Sequence, residues 1–448
     1  MKYDNRYIAR YVIGASSPIA VGSGEKDELT DARVVKDVNR LPFIPASSLA
    51  GVLRHATQND DVDSPYWGYQ KDNDGRGSLI AFTNANIVDE DGTAVDGLVT
   101  KQSDFLQRYH ILPIRQHAAI NDNGTTLKGG KFDEEVVFAG TRFCFEMEIM
   151  FEGEKKSEVE EVVKQIHDAM AKPTLRIGGG TRCGFGSFDI ISLKERWLNL
   201  QEDSQLKDYL AKSSSLAKQD FWDSVADTPV QTIHDDGYTI YHLHLKPESF
   251  FFFGSGMGDD VVDATPMRES VVLWEDNRGH FQDNNILIPA TSVKGAIAHR
   301  VAYHYNEKKG IFADQIAESK SQLKEDNIVA KLFGSVNQER AKAGHVLFSD
   351  VIERPSDGIR EKVFNHVSID PFTGGGRDKT GGLYNEKVID APDMNIELTI
   401  AVESCLLEDK SIEEAFESTL NDVVSGMLPL GGTVNRGNGV FVGVYNKE

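Results

Sequence analysis

The sequence is poor in cysteine, in long apolar runs and in positive charge. Only three cysteines occur in 448 residues, Cys144, Cys183 and Cys405, and none belongs to a CxxC pair. That scarcity argues against a disulfide framework or a zinc knuckle and makes a reducing cytoplasm the expected location. No stretch reaches the roughly 18 consecutive apolar residues of a membrane span. The opening residues MKYDNRYIARYVIG lack the basic-then-apolar pattern and small-residue cleavage site of a signal peptide, so none is expected. Lysine and arginine number 48 against 70 aspartates and glutamates, a formal charge of −22. A basic chain is the usual footprint of nucleic-acid binding, and the chain as a whole does not carry one.

Hydrophobic residues make up 40% and charged residues 26%, the mixture of a folded chain of two or three domains. Charge is segregated along it. Residues 101–131 hold Lys101, Arg108, Arg115, Lys128 and Lys131 against Asp104 and Asp122, and residues 172–187 hold Lys172, Arg176 and Arg182 with no acid. Acid collects at Asp60 and Asp61, at Glu158, Glu160 and Glu161, and from Glu408 to Glu417. Exposed charges more than about 10 Å apart are screened in ordinary salt. The basic stretches therefore leave an anionic partner open.

The chain repeats itself. Ile44-Pro45-Ala46-Ser47-Ser48-Leu49-Ala50-Gly51 returns as Ile288-Pro289-Ala290-Thr291-Ser292-Val293-Lys294-Gly295, an offset of 244. His117-Ala118-Ala119-Ile120-Asn121 answers to His366-Val367-Ser368-Ile369-Asp370 at an offset of 249. The glycine-rich runs 178–186 and 431–439 match at 253. Three matches in one order, at nearly constant spacing, indicate a tandem duplication.

Each copy has the same grammar. An alternating strand opens it (Tyr7, Ala9, Tyr11, Ile13; then Tyr241, Leu243, Leu245), and a helix begins at the Pro-Ala-Ser/Thr-Ser segment, whose hydroxyls suit an N-cap. A second strand follows (Phe143 to Ile149; Ile396 to Val402), then a helix burying Val159, Val163 and Ile166, or Ile412, Phe416 and Leu420. The glycine-rich loop leads into a closing strand, Phe185–Ile191 or Val440–Val444. This order predicts an α+β chain of two tandem ferredoxin-like (RNA-recognition-motif-like) domains, residues 1–195 and 237–448, with a connector at 196–236. Segments near 58–110 and 301–345 read as insertions. Ligands are expected on the open sheet face and on the loops at its rim.

The helix starts offer backbone N–H groups and the hydroxyls of Ser47, Ser48, Thr291 and Ser292 at a positive dipole end, a ready anion site. Lys294 and Arg54 would strengthen it, one in each copy. Plain N-capping is the simpler use, but the motif occurs twice, each time with a glycine-rich loop. Those loops (Gly179, Gly180, Gly432) follow a helix and open a strand, the reverse of a dinucleotide fingerprint. They suit close approach of backbone to a sugar–phosphate chain, with Arg182 and Arg436 beside them.

IPASSLAGVLR, the segment Gly129-Gly130-Lys131-Phe132-Asp133-Glu134-Glu135-Val136-Val137 and the glycine-rich loop together resemble the RAMP superfamily, and more narrowly the backbone subunits of type III CRISPR effector complexes. The likeness spans most of residues 5–191 and 238–445. It implies a subunit that grips a guide RNA (crRNA), uses β-hairpin thumbs at 110–140 and 364–390 to wedge out bases, and cleaves the paired target RNA with a loop aspartate. In the family's pattern the acid precedes an apolar pair and Lys-Asp, which makes Asp31 of Thr30-Asp31-Ala32-Arg33-Val34-Val35-Lys36-Asp37 the candidate. For the second copy, alignment on Val271-Val272 leaves Arg268 or Glu269 in that place; loop lengths vary, so Asp263, the nearest aspartate, is the second candidate, and a single active copy is the alternative. RNA supplies its own nucleophile, so a base or metal-holding carboxylate and cationic stabilisation suffice, and a divalent ion, magnesium or manganese, is expected. His117 and His366 are expected to stack or contact phosphate. Partners would be guide RNA, target RNA and other effector subunits, with no membrane. The alternatives are a non-catalytic assembly subunit, a guide-precursor endoribonuclease using a histidine base, and a scaffold that binds no nucleic acid.

Overall fold

The computed structural model describes residues 3–26, 30–57, 66–71, 74–120, 126–311, 328–336, 341–376 and 383–448. The alternating strand of the first repeat, Asn5–Ala15, lies between the closing strand Phe188–Asn199 and the strand Arg142–Phe151, antiparallel to both. Beyond Arg142–Phe151 come two short strands, Ile80–Phe82 and Ala85–Ile87. In the second repeat the order is Val346–Phe348, Ile396–Glu403, Tyr238–Pro247, Phe441–Lys447, again antiparallel. Both sheets thus place the closing strand beside the opening one and the penultimate strand on its other side. The short strands were hidden because three residues give no periodicity to read; the first two lie inside a segment expected to be an insertion.

Helices Ala46–Ala56 and Lys156–Met170 cover one face of the first sheet, and Ala290–Lys308 and Lys410–Val424 one face of the second. Each buries the stripe its sequence announces, including Leu49 and Leu53, Val159 and Ile166, and Phe416 and Leu420. Two large apolar cores result, one around Tyr7, Tyr11 and Phe145, the other around Tyr241, Leu243 and Ile400.

The opposite faces differ. In the second repeat, His242 and His244 alternate with buried Leu243 and Leu245, and the strand has one wet side. In the first, Ile8 and Arg10 are buried as well. The connector lies over them: Trp222 packs with Ile8 and Leu198, and its Nε1 donates to Glu146 Oε1 at 2.9 Å, the carboxylate that also holds Arg10 at 2.8 Å. The open face expected to receive a ligand is therefore occupied in the first repeat. The closing strand also runs on to Asn199, into the segment expected to be linker.

The repeats interlock. The hairpin Arg268–Glu275/Arg278–Ile288 of the second repeat reaches into the first core, where Val272 is buried. Phe281 meets Phe105 and Phe138 with ring centroids 5.2 and 5.0 Å apart, and Trp274 Nε1 donates to the Gly140 carbonyl at 2.8 Å.

Candidate nucleic-acid site

Neither serine-headed helix is capped by its own hydroxyls. Pro45 and Pro289 occupy the N-cap positions, and the first helical N–H is satisfied from across the fold: Ala46 N donates to Asn84 Oδ1 at 3.0 Å and Ala290 N to Asp350 Oδ1 at 2.7 Å. Proline cannot offer a side-chain acceptor, so a neighbouring segment supplies it. The expected N-caps Ser47, Ser48, Thr291 and Ser292 sit in the first turns instead, Ser47 and Ser292 exposed and the other two half-buried. Lys294 lies within two turns of its tip. Arg54 lies in the last turn of the first helix, eight residues on, which is about 12 Å along the axis at 1.5 Å per residue, so the support expected from it at the tip is corrected.

The glycine-rich loops share their anchoring hydrogen bonds. Gly179 N donates to the Ala20 carbonyl and Gly432 N to the Phe252 carbonyl, both at 2.6 Å; Gly186 N meets Pro18 and Gly439 N meets Phe250, at 2.8 and 2.7 Å. Gly186 has φ +86° and a Cβ there would lie 2.4 Å from the Ile177 carbonyl oxygen, so this glycine serves the fold itself. The first loop packs against the second repeat. A Cβ on Gly184 would lie 2.6 Å from that of Ala290, and Arg182 Nε donates to the Gly344 carbonyl at 3.0 Å. The glycine-rich loop of the first repeat thus adjoins the helix tip of the second. In the second loop, residues 434–437 are exposed.

The candidate acids occupy equivalent places. Asp31 Oδ2 accepts from Asp133 N at 3.2 Å, and the next residue, Ala32, forms an isolated parallel bridge with Glu134. Asp263 Oδ2 accepts from Asn385 N at 2.9 Å, and Ala264 forms an isolated parallel bridge with Glu386. Both aspartates are exposed. Each rests on the returning strand of a hairpin, Ile114–Ile120/Thr126–Glu135 or Arg360–Val367/Leu383–Asp390; residues 121–125 and 377–382, between those strands, fall outside the described residues. By position in the fold, Asp263, and neither Arg268 nor Glu269, corresponds to Asp31. Charge is exchanged at one neighbour. Glu135 binds Lys36 in the first repeat, whereas Lys387 binds Asp259 in the second and, through that hydrogen bond, holds the Asp259 carboxyl down at about 2.

The matched histidines belong to the hairpins. His117 stacks on Phe132 and His366 on Tyr384, each at 4.7 Å between centroids, and their Nε2 atoms lie 2.8 and 3.1 Å from Glu134 and Glu386. His117 is 8% exposed. The stacking expected of it is therefore with its own hairpin and not with a base; His366 is half-buried. Glu386 is buried between His366 and Arg436, and Arg436 also lies 4.9 Å from the Tyr384 ring. The His-to-aromatic pairing across the hairpin was the signal available in the sequence.

A cleft of about 730 Å³ opens between the repeats beside the Asp263 loop, lined by Arg108, Ile111, Arg115, Ser255, Arg268 and Glu269. Burial raises the carboxyls of Glu269 and Asp350 above their ordinary range, although Arg115 lies between them. Among the described residues no cluster of three or more His, Cys, Asp or Glu side chains is placed to hold a metal ion. The donors on offer at each acid are single exposed carboxylates, which fit a hard cation only where phosphate and water complete its shell. No described helix is long and apolar enough to cross a membrane.

Comparison with known proteins agrees with the duplicated geometry. A profile of the RAMP superfamily matches two stretches, residues 13–189 and 244–442. Among curated proteins, the CRISPR system Cms endoribonuclease Csm3 of Methanocaldococcus jannaschii is similar, 27% identical over 180 residues covering 37% of this chain and 69% of that protein.

Proposed function

The chain belongs to the RAMP superfamily, matched twice along its length, and from that premise we propose that it is a two-copy backbone subunit of a type III-like CRISPR effector. It binds guide crRNA and cleaves complementary target RNA, in the cytoplasm and beside other effector subunits. Each copy is a ferredoxin-like domain, divided as residues 1–195 and 237–448; the repeated sheet order supports this. The observation that carries the reading is the duplicated acid: Asp31 and Asp263 each accept from a backbone N–H on the returning strand of their hairpin.

Sugar–phosphate is held by the helix tips (Ser47, Ser48, Thr291, Ser292, Lys294) and by the glycine loops with Arg182 and Arg436. The hairpins distort the duplex so that a target 2′-OH faces its own phosphodiester. Asp31 or Asp263 then takes the hydroxyl proton or helps to hold a divalent ion, the 2′-oxygen bonds phosphorus as the P–O5′ bond breaks, and water protonates the departing 5′-oxygen, leaving a 2′,3′-cyclic phosphate; cations offset the charge of the phosphorane. A bound magnesium or manganese ion would neutralise phosphate charge and lower the pKa of a coordinated hydroxyl.

Asp31→Asn and Asp263→Asn, singly and together in the assembled effector, test this. Each single variant is expected to abolish one cut in a mapped target, by at least a hundredfold, and the double variant both, with guide binding retained. Unchanged product ends in the double variant would leave an assembly subunit without chemistry. Site-specific cutting of precursor RNA by the chain alone would favour the processing enzyme.

A further inference from the structure

Arg115 stands at the base of the first hairpin, yet its guanidinium is spent on the second repeat. One Nη lies 2.5 Å from Glu269 Oε2 and 2.9 Å from Asp350 Oδ2, and all three side chains are at most 5% exposed. Asp350 turns its other oxygen to Ala290 N, at the tip of the second serine-headed helix. The guanidinium also lies 5.6 Å from the ring of Phe185, in the first glycine loop. One side chain therefore ties the hairpin and glycine loop of the first repeat to the helix tip of the second.

The corresponding positions of the other copy carry no such charged set. The hairpin register puts Arg115 opposite Glu134 and Phe364 opposite Glu386, so Phe364 holds the corresponding place in the second hairpin. Likewise Asn84 caps Ala46 where Asp350 caps Ala290. The fold does not require the ion triad; the junction between the copies has it.

Glu269 lies just after the 254–267 loop that carries Asp263. Gln116, next to Arg115, closes on that loop: a Cβ on Gly256 would lie 2.6 Å from Gln116 Oε1. The other limb leans on the second hairpin, where Asp263 and Asn385 exchange hydrogen bonds of 2.8 and 2.9 Å. The neck is closed by Ser255 N donating to the Thr265 carbonyl at 2.9 Å. The Asp263 loop is thus clamped between the hairpins of both repeats.

We infer that Arg115 is a positioning residue for the Asp263 site, locking the first hairpin against the second repeat so that the cut made there is built from both copies. The inference rests on the proposed cleavage by Asp263. Removing the arginine alone strands two buried carboxylates and threatens the fold. The test is therefore Arg115→Met with Glu269→Met and Asp350→Asn, which keeps volume and keeps an amide oxygen for Ala290 N, as Asn84 provides for Ala46. In the assembled effector, the cut lost in Asp263→Asn is expected to fall at least tenfold in this triple variant, and the cut lost in Asp31→Asn to stay within twofold. Amide hydrogen exchange within residues 254–267 is expected to rise in the free chain at unchanged Tm. Wild-type rates at both cuts with unchanged exchange, or an equal fall in both, would overturn the lock. If Asp263→Asn alters no cut, the cleavage reading fails, and exchange alone then decides on the lock.

Discussion

Two carboxylates facing one guanidinium in a buried junction make Glu269 and Asp350 exacting residues. Burial raises both above the ordinary carboxylate range of about 4, so the folded chain binds their protons more readily than the unfolded chain does. The stability they contribute is complete below about pH 4 and is lost as pH rises through the raised values. Glu269→Gln removes one buried charge and leaves Arg115 paired with Asp350 alone. It is expected to be neutral, or stabilising by about 1 kcal/mol, at pH 7, and to flatten the dependence of stability on pH above about 4. Urea unfolding across that range measures both, and a loss above about 3 kcal/mol at pH 7 would mean that the junction needs both charges. Glu269 also shows where a local reading leaves a choice. Matching Val271-Val272 to the apolar pair behind Asp31 brings Arg268 or Glu269 into that place, whereas a difference in loop length points to Asp263. Asp263 was within reach of the sequence as the nearest aspartate, but its equivalence to Asp31 rests on long-range hydrogen bonds to residues 133 and 385, for which no local pattern exists.

Elements with a strong period were legible and elements without one were not. The opening strands, the amphipathic helices from Lys156 and Lys410 and the strands Arg142–Phe151 and Ile396–Glu403 all follow their apolar residues. The short strands at Ile80–Phe82 and Val346–Phe348 are set by pairing with a partner already in place, which a local window cannot see. The glycine loops were legible as loops, but their glycines divide by cause. Gly186 and Gly437 both have positive φ, yet a Cβ on Gly186 would strike the Ile177 carbonyl at 2.4 Å, whereas Gly437 has open space around it. Gly437→Ala should cost about 1–2 kcal/mol, the penalty of a left-handed alanine. Gly186→Ala carries that cost and a backbone collision besides, and is expected to lose more than about 3 kcal/mol. Denaturant midpoints of the two variants decide between conformational and steric demand; equal losses would mean that Ile177 moves aside freely.

At the scale of the whole molecule, the question is how a chain of charge −22 holds a polyanion. The junction supplies part of the answer, because the helix tip carrying Lys294 and the glycine loop carrying Arg182 are brought together across the repeats, while runs of acid such as Glu408 to Glu417 belong to other segments. Acidic surface farther than about a Debye length, roughly 8–10 Å, contributes little in ordinary salt, so the local field governs binding. Each phosphate neutralised by a cation releases condensed counterions, and for a single strand the slope of log affinity against log salt is about −0.7 per contact. Lys294→Ala should therefore weaken guide binding and make that slope shallower by about 0.7. Lys194→Ala removes a lysine that donates to the Trp222 carbonyl beneath the connector and should leave the slope unchanged. Titrating labelled single-stranded guide into the full chain between about 50 and 300 mM salt reads both variants, within the range where counterion release dominates. If the two lysines shift the slope alike, binding follows net charge, and the cradle at the helix tip is not what holds the RNA.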